Sequence, residues 1–222
     1  MNYDHYAERT VDSLPFYLAM PFNSLINVGY ICVGIYWLLK PTHGKGDPRA
    51  GYVKDIFALT AIAYGPLQWV RLATLRRAPA VLDQWFTLPI FAWVPVWCQF
   101  IEHSWQPRYA FAVELCAFLS YGLSLLHDHG FEVALGVLMI FAVVRCVRLH
   151  RTHGDHRSRR YLVLAVLSCS GFVVLKLLDH TLARCWLFQH LTGHFWSKVC
   201  DILQFHYSFC FLTHLNQKFK TG

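Results

Sequence analysis

Long apolar runs separated by short polar stretches follow one another along the whole chain. A helix that crosses a bilayer needs roughly 20 apolar residues, within a range of about 17–25, and seven segments meet or approach this length. We therefore predict an all-α, polytopic membrane protein, a bundle of seven transmembrane helices. The predicted helices cover residues 16–39, 52–72, 83–101, 109–126, 131–147, 161–178 and 194–214.

The connections between these runs are short and rich in helix-breaking residues, as in the stretch of residues 40–48 with Pro41, Gly44 and Pro48. No soluble domain separates the runs, so residues 1–222 form a single transmembrane helical domain. Composition agrees, because 55% of the residues are hydrophobic and only 15% are charged, against about a quarter in soluble domains. The net charge of +7 does not indicate nucleic-acid binding, since the basic residues lie in short loops.

The distribution of these basic residues predicts the orientation of the bundle. Cytoplasmic loops of membrane proteins carry an excess of lysine and arginine. In this chain the excess is on the cytoplasmic side if the N-terminus is outside or lumenal and the C-terminus is cytoplasmic, so we predict this orientation. The cytoplasmic side then holds Lys40, Lys45, Arg49, Lys54, Arg108, the arginines of residues 145–160, Lys218 and Lys220. The opposite side holds Arg9, Arg71, Arg76, Arg77 and Arg184. The cluster around Arg71 violates the rule, which suggests that it has a local function.

Polar residues within the predicted helices concentrate in the non-cytoplasmic half. A charge at the bilayer centre costs about 2.5–3.5 kcal/mol on insertion scales, so this concentration predicts one polar pocket that opens toward the lumen or the exterior. The predicted pocket residues are Asn23, Ser24, Asn27, Gln68, Arg71, Asp83, Gln84, Lys176, Asp179, His194, Lys198 and Asp201.

The clearest polar face belongs to the last helix, where His194, Lys198 and Asp201 have i, i+4, i+7 spacing. A buried lysine needs a partner, and Asp201 or Asp83 is expected to provide it. A structural ion pair between helices and a catalytic role explain Lys198 and Asp83 equally well. We expect Lys176 and Asp179 to form a local i, i+3 pair.

Among the thirteen histidines, His150, His153 and His156 lie in a basic loop whose arginines would oppose a cation, and the pair His190 and His194 has the spacing of metal ligands on a helix. His190 and His194 are four residues apart, but Gly193 lies between them and makes helical continuity doubtful. We therefore predict no metal site and no cofactor, with His190 and His194 as the candidate ligands if zinc is bound.

Four long strings carry a resemblance to a known family. They are LAMPFNSLIN at 18–27, YGPLQWVR at 64–71, VLDQWFTLPIF at 81–91 and LTGHFWSKVCD at 191–201. They resemble the transmembrane protein 187 family over nearly the whole chain, and that family implies a multi-pass membrane protein without an established activity. Members begin further upstream with an additional hydrophobic stretch, so the resemblance predicts a shorter form or an incomplete N-terminus here.

A more distant resemblance is to the alkaline-ceramidase-like superfamily of seven-helix zinc hydrolases. Residues 22–27 resemble its asparagine-rich motif, Asp83 the aspartate of its third helix, and His194 the first histidine of its last helix. The Ser-x3-His positions of its second helix are Pro66 and Val70 here, and Lys198 replaces the second histidine of the last helix. The resemblance therefore implies that zinc hydrolysis is lost and that Lys198 replaces the metal ion.

We thus expect a non-catalytic or degenerate relative of those hydrolases, in the bilayer, binding a lipid ligand or a partner protein. The alternative is a hydrolase of a lipid amide or ester, and a transporter or receptor is a third class. For catalysis, Asp83 and His194 are the candidates. We expect the Golgi or the endoplasmic reticulum rather than the plasma membrane. Nothing in the sequence indicates a nucleic-acid partner, and the oligomeric state is left open.

Overall fold

The computed structural model describes residues 6–41 and 49–221, with side chains up to residue 218. Lys45 and the side chain of Lys220, which entered the charge count above, lie outside this part. All regular secondary structure in the described part is helical. The α-helices are α1 Pro21–Leu25, α2 Val28–Leu39, α3 Arg49–Thr74, α4 Arg77–His103, α5 Pro107–Ser120, α6 Leu123–Leu126, α7 Gly130–His153, α8 His156–Leu177, α9 Asp179–Leu182 and α10 Gly193–Thr221.

Within residues 6–41 and 49–221, five helical segments are long and apolar enough to cross a membrane. They are Pro21–Leu39, Arg49–Thr74, Pro107–Leu126, Gly130–His153 and His156–Leu177. The other two predicted crossings coincide with α4 and α10, which have ample length at 27 and 29 residues. Tryptophan, proline and glutamine in α4, and histidine, glutamine and lysine in α10, lower the hydropathy of these helices. The all-helical prediction is confirmed, and the count of seven crossings stays a prediction.

The first predicted helix is broken, which corrects the continuous helix expected over residues 16–39. A 3-10 turn at Phe16–Leu18 precedes α1, and Pro21 begins α1 because its missing N–H needs no partner there. Between α1 and α2 the backbone tightens, with the amide of Asn27 donating to the carbonyl of Ser24 (3.3 Å). The carbonyl of Asn23, four residues before Asn27, is thereby freed from the helical pattern.

Close helix contacts hold this broken segment against its neighbours. The pairs α2–α3 and α8–α10 pack most extensively, and α4 contacts α3, α5 and α7. A Cβ at Gly65 of α3 would lie 2.7 Å from the carbonyl oxygen of Asn27, and one at Gly34 would lie 2.7 Å from that of Ala58. These glycines allow α2 and α3 to approach at backbone distance, as small residues do in membrane bundles.

An aromatic core fills the middle of the bundle. Trp37 stacks on Phe209 with ring centroids 4.9 Å apart, and Phe57 and Trp97 pack against the same ring. Trp37, Trp97 and Phe209 are almost fully buried. This core separates the polar groups of the two ends of the bundle, which are described separately below.

Candidate functional site

A small polar cavity of about 30 Å³ lies where α2, α3, α4, α8 and α10 meet. That volume is close to the share of one water molecule in liquid water. Its lining residues are Tyr6, Tyr30, Tyr64, Gln68, Arg71, Leu72, Asp83, Phe172, Lys176, His194, Ser197 and Lys198. Six predicted pocket residues are therefore brought together: Gln68, Arg71, Asp83, Lys176, His194 and Lys198.

Lys198 extends from α10 toward the break between α1 and α2. Its side chain is buried, and Nζ donates to Oδ1 of Asn27 (2.8 Å) and to the freed carbonyl of Asn23 (3.3 Å). Neither expected partner pairs with it, since among the described residues no carboxylate lies within 4.0 Å of Nζ. The expected ion pair of Lys198 with Asp83 or Asp201 is thus wrong, because neutral oxygens of the broken helix reach the ammonium first.

Asp83 instead forms a buried ion pair with Arg71. Arg71 lies in the last turn of α3 and Asp83 in the second turn of α4, so the tight connection through Leu75, with φ of 50°, brings them together. Oδ1 of Asp83 and Nε of Arg71 are buried, and no described residue forms a hydrogen bond with either atom. Arg71, which belongs to the basic cluster on the side predicted to be non-cytoplasmic, therefore has a local structural role. The ion pair still leaves polar atoms available at the cavity.

Asp201 lies one helical turn beyond Lys198 and accepts a hydrogen bond from the hydroxyl of Tyr30 (2.7 Å). The ring of Tyr30 packs edge-on against Tyr64, whose hydroxyl is 3.1 Å from that of Thr87. Sequence reasoning missed this pair of tyrosines, because an aromatic residue in an apolar run is indistinguishable from ordinary core. The tyrosine hydroxyls extend the polar surface into the aromatic core.

The N-terminal segment, residues 6–20, covers the cavity. Tyr6 is buried, and its ring lies edge-on to that of His194 with centroids 4.9 Å apart. Glu8 is also buried, and its carboxylate accepts hydrogen bonds from the backbone amides of Phe22 (2.9 Å) and Asn23 (2.8 Å). Burial raises the pKa of Glu8, and these two amides partly offset the effect.

Asp179 fixes the same segment from the other side. Its carboxylate accepts from the backbone amides of Ala7 (3.0 Å) and of His194 at the start of α10 (2.7 Å). The expected local pair of Lys176 with Asp179 is wrong, because these amides satisfy the carboxylate and Lys176 leans toward the ring of Phe172, 5.5 Å from its centroid. The side chain of Lys176 is exposed on the outer surface while it also lines the cavity.

The remaining predicted residues lie outside the cavity lining. Gln84 accepts a hydrogen bond from the hydroxyl of Tyr121 (3.1 Å) on the other side of α4. Ser24 is buried in α1. His190 lines a separate cavity of about 370 Å³ between the N-terminal segment and the loop before α10.

The histidine pair does not have helical spacing in three dimensions. Because α10 begins at Gly193, His190 precedes the helix and lies in a bend, whereas His194 is within it. In the part of the chain that is described, no group of three or more His, Cys, Asp or Glu residues is placed to hold a metal ion. A catalytic zinc needs three protein ligands and an open position, so the cavity residues do not fit that ion.

Comparisons with known proteins bear on the first of the two resemblances. The chain is 56% identical to transmembrane protein 187 of Homo sapiens over 216 residues, which is 97% of the chain and 82% of that protein. It is 54% identical to transmembrane protein 187 of Bos taurus over 220 residues, 97% of the chain and 86% of that protein. No solved structure matches. The relationship to the alkaline-ceramidase-like superfamily stays a prediction.

These relatives and the five apolar helices agree on an integral, multi-pass membrane protein. A sequence model of the TMEM187 protein family matches residues 1–213. The chain therefore belongs to the TMEM187 protein family.

Proposed function

We propose that this protein is a non-catalytic membrane protein that binds the anionic head group of a lipid at the polar cavity. The observation that carries the proposal is the buried ammonium of Lys198, whose two hydrogen-bond partners are neutral oxygens. An ammonium has three donors, so one remains for a further acceptor. Burying a charge without a counter-charge is costly, and an anion at the cavity would remove that cost.

The nearby carboxylates are already engaged. Asp83 pairs with Arg71, and Asp201 accepts from Tyr30. Lys176 adds a second cation without a carboxylate within 4.0 Å among the described residues. Among the described lining residues of the cavity, Arg71, Lys176 and Lys198 outnumber the one carboxylate, Asp83, which favours an anionic ligand over a metal cation.

The position of Lys176 supports a lipid as the source of this anion. Its side chain belongs both to the outer surface of α8 and to the cavity lining, so it connects the lipid-facing surface with Lys198. A lysine near the end of a spanning helix extends toward the head-group level. The closed cavity holds about one water, so a head group enters only as the surrounding side chains move.

The bundle crosses the bilayer seven times, with the N-terminus outside or lumenal and the C-terminus cytoplasmic. This part of the proposal rests on the seven apolar runs and on the excess of lysine and arginine on one side. The polar cavity then lies in the non-cytoplasmic half. The Golgi or the endoplasmic reticulum is the proposed location.

A hydrolase is the competing function, and Ser197 is the group that would favour it. Its hydroxyl lines the cavity but has no hydrogen-bond partner in the described part of the chain. A serine nucleophile is activated by a base within hydrogen-bond reach, and Ser197 has none. The geometry thus favours binding over hydrolysis.

The test measures the lipids and zinc that accompany the purified full chain. We compare the unmodified protein with Lys198→Met and with Lys218→Met, a matched loss of an exposed lysine on the same helix. We expect Lys198→Met to retain about one anionic lipid per protein fewer than the unmodified chain and Lys218→Met, whatever lipid other sites hold. Thermal unfolding in detergent verifies that each variant is folded. Equal lipid content in all three proteins, or one zinc per protein with turnover of a lipid amide or ester, refutes the proposal.

A further inference from the structure

A second pocket, of about 190 Å³, lies at the opposite end of the bundle. Its walls come from the C-terminal end of α2, the N-terminal parts of α3 and α8 and the C-terminal half of α10. On α10, His214 of this pocket and Lys198 of the polar cavity are 16 residues apart, or roughly 24 Å along the axis. The two sites are therefore distinct, and we name this one the basic pocket.

Among the described residues, the lining of the basic pocket contains no carboxylate and four basic side chains: Lys40, Lys54, Arg157 and His214. Two of them already have carboxylate partners just outside the lining. Lys54 pairs with Asp55 at 2.7 Å, and Nε2 of His214 lies 2.9 Å from Asp155. Lys40 and Arg157 have no carboxylate within 4.0 Å among the described residues. In the described part of the chain, the pocket therefore presents two positive charges that form no direct ion pair.

Aromatic rings hold these two cations in place. The ammonium of Lys40 lies 4.3 Å from the ring centroid of Trp37. The guanidinium of Arg157 donates from Nε to the hydroxyl of Tyr161 (3.1 Å) and lies 5.8 Å from the centroid of that ring. Arginine has five N–H donors, so this arrangement fixes Arg157 and leaves most of its donors for a ligand.

The backbone beneath the pocket is also fixed. The buried ammonium of Lys54 donates hydrogen bonds to two carbonyls at the end of α2, those of Trp37 (2.6 Å) and Lys40 (3.0 Å). It thereby caps the C-terminus of α2, where a cation is favoured by the helix dipole. The position of Lys40 at the pocket is thus set before any ligand binds.

The level of the pocket along the helices indicates the source of the ligand. The apolar segment Pro21–Leu39 ends immediately before Lys40, and the apolar segment His156–Leu177 begins immediately before Arg157. Trp37 and Tyr161 lie at the same boundary, where amphipathic rings favour the level of the lipid head groups. A ligand at this level is part of a lipid whose chains remain beside the helices.

We infer that the basic pocket binds the phosphomonoester head group of an anionic lipid. A phosphomonoester carries about −1.5 to −2 charges near neutral pH, which matches Lys40 and Arg157 together. A phosphodiester such as phosphatidylglycerol carries one charge and leaves one cation uncompensated. The volume of the pocket accommodates a phosphate group with its nearest waters. Under the proposed orientation this pocket faces the cytoplasmic leaflet, where basic pockets between helices bind phosphorylated lipids.

The test measures binding of three probes to the purified full chain in a neutral detergent. The probes are a fluorescent short-chain phosphatidic acid, the matching phosphatidylglycerol, and inorganic phosphate as competitor. We expect phosphatidic acid to bind at least about tenfold more tightly than phosphatidylglycerol, because of its extra charge. We expect inorganic phosphate to compete only at far higher concentration, since it lacks the lipid chains.

Variants localise the binding. Arg157→Gln and Lys40→Gln are each expected to weaken phosphatidic acid binding by about tenfold, whereas Arg159→Gln, an exposed arginine two residues along α8, is expected to have no effect. These affinities are all compared in the Lys198→Met background, where the proposed polar-cavity site is lost, so the remaining binding is assigned to the basic pocket and the inference is separated from the proposed function. Equal losses in Arg157→Gln and Arg159→Gln, equal affinity for the two lipids, or equally tight binding of inorganic phosphate overturns the inference.

Discussion

The buried ion pair of Arg71 and Asp83 allows a sharp test of how α3 and α4 are held together. The side chains are 12% and 8% exposed, and the pair is the direct link between the end of α3 and the start of α4. Replacing one partner leaves the other charge buried. We therefore compare Arg71→Met, Asp83→Leu and the double variant, which removes both charges and keeps apolar volume.

The expected magnitudes follow from the burial of the pair. Removing one member of a buried ion pair costs about 3–5 kcal/mol, whereas replacing both by apolar residues is often close to neutral. Each single variant should thus lose about 3 kcal/mol of unfolding free energy, and the double variant much less than the sum. At roughly 2–4 °C per kcal/mol for chains of this size, each single variant should unfold about 10 °C lower.

The cysteines provide the assay. Cys98 and Cys146 are buried, with their sulfur atoms 3.8 Å apart, so a thiol-reactive dye reports their exposure on heating in detergent. The exposed Cys32, Cys116 and Cys185 react at the start and set the baseline. Because the double variant is expected to lose little, we expect a coupling free energy of at least about 3 kcal/mol in the double-mutant cycle. Additive losses in the two single variants would falsify the argument that the pair stabilises this junction.

Three further predictions use the same unfolding assay or hydrogen exchange of backbone amides. Asp155 caps α8 and pairs with His214. Asp155→Ala is expected to lower the free energy of unfolding by about 1 kcal/mol, and Asp155→Asn by less, since asparagine also caps helices. Hydrogen bonds from the amide of Ser158 and then from His214 lower the pKa of Asp155. Its contribution to the free energy of unfolding is therefore present above the unfolded pKa of about 3.9 and is lost as the pH falls through the folded pKa. If acidification changes the stability of the unmodified protein no more than that of Asp155→Asn, this prediction is contradicted. Gly65→Ala places a Cβ 2.7 Å from a carbonyl oxygen, whereas the Cβ of Gly136→Ala meets nothing within 4 Å. We therefore expect Gly65→Ala to lower the free energy of unfolding by about 1–3 kcal/mol and Gly136→Ala to leave it unchanged. Equal melting temperatures of the two variants refute the close contact. Glu8→Ala removes two charge-assisted hydrogen bonds to backbone amides, worth about 3 kcal/mol together, and we expect faster hydrogen exchange in residues 6–20 with unchanged exchange in α8; unchanged exchange in both refutes the role of Glu8.

The helices were predictable because hydropathy is a local property. Apart from the breaks at residues 19–20, 26–27 and 121–122, the predicted apolar segments lie within helices. Their ends differ mainly by extension into polar turns, as in α7, which continues to His153. The break between α1 and α2 was not predictable, because Ile26 and Asn27 are compatible with either a helix or a tight turn. The freed carbonyl of Asn23 accepts from the side-chain amide of Asn27 (3.0 Å) and from Lys198 (3.3 Å), and Lys198 lies far along the chain.

The partners of the polar groups were less predictable than their positions. The sequence indicated that Asp83 and Lys198 approach the same region, and both line one cavity. Their pairing depended on the rotation of α3, which directs Arg71 toward Asp83. The roles of Glu8 and Asp179 were hidden for another reason, since their partners are backbone amides, which every residue except proline has.

The sequence alone determined that this chain is a helical membrane protein whose costly polar residues gather near one end, because the energy of a polar group in a bilayer depends on its own chemistry and depth. The tertiary structure alone decided which charges neutralise one another and which stay uncompensated. That distinction depends on distances of a few ångströms between helices far apart in the chain. The packing leaves Lys198 with neutral partners, and at the other end of the bundle no described carboxylate pairs with Lys40 or Arg157. The reason is that coulombic attraction falls off with distance, so each charge pairs with whichever group the packing brings nearest.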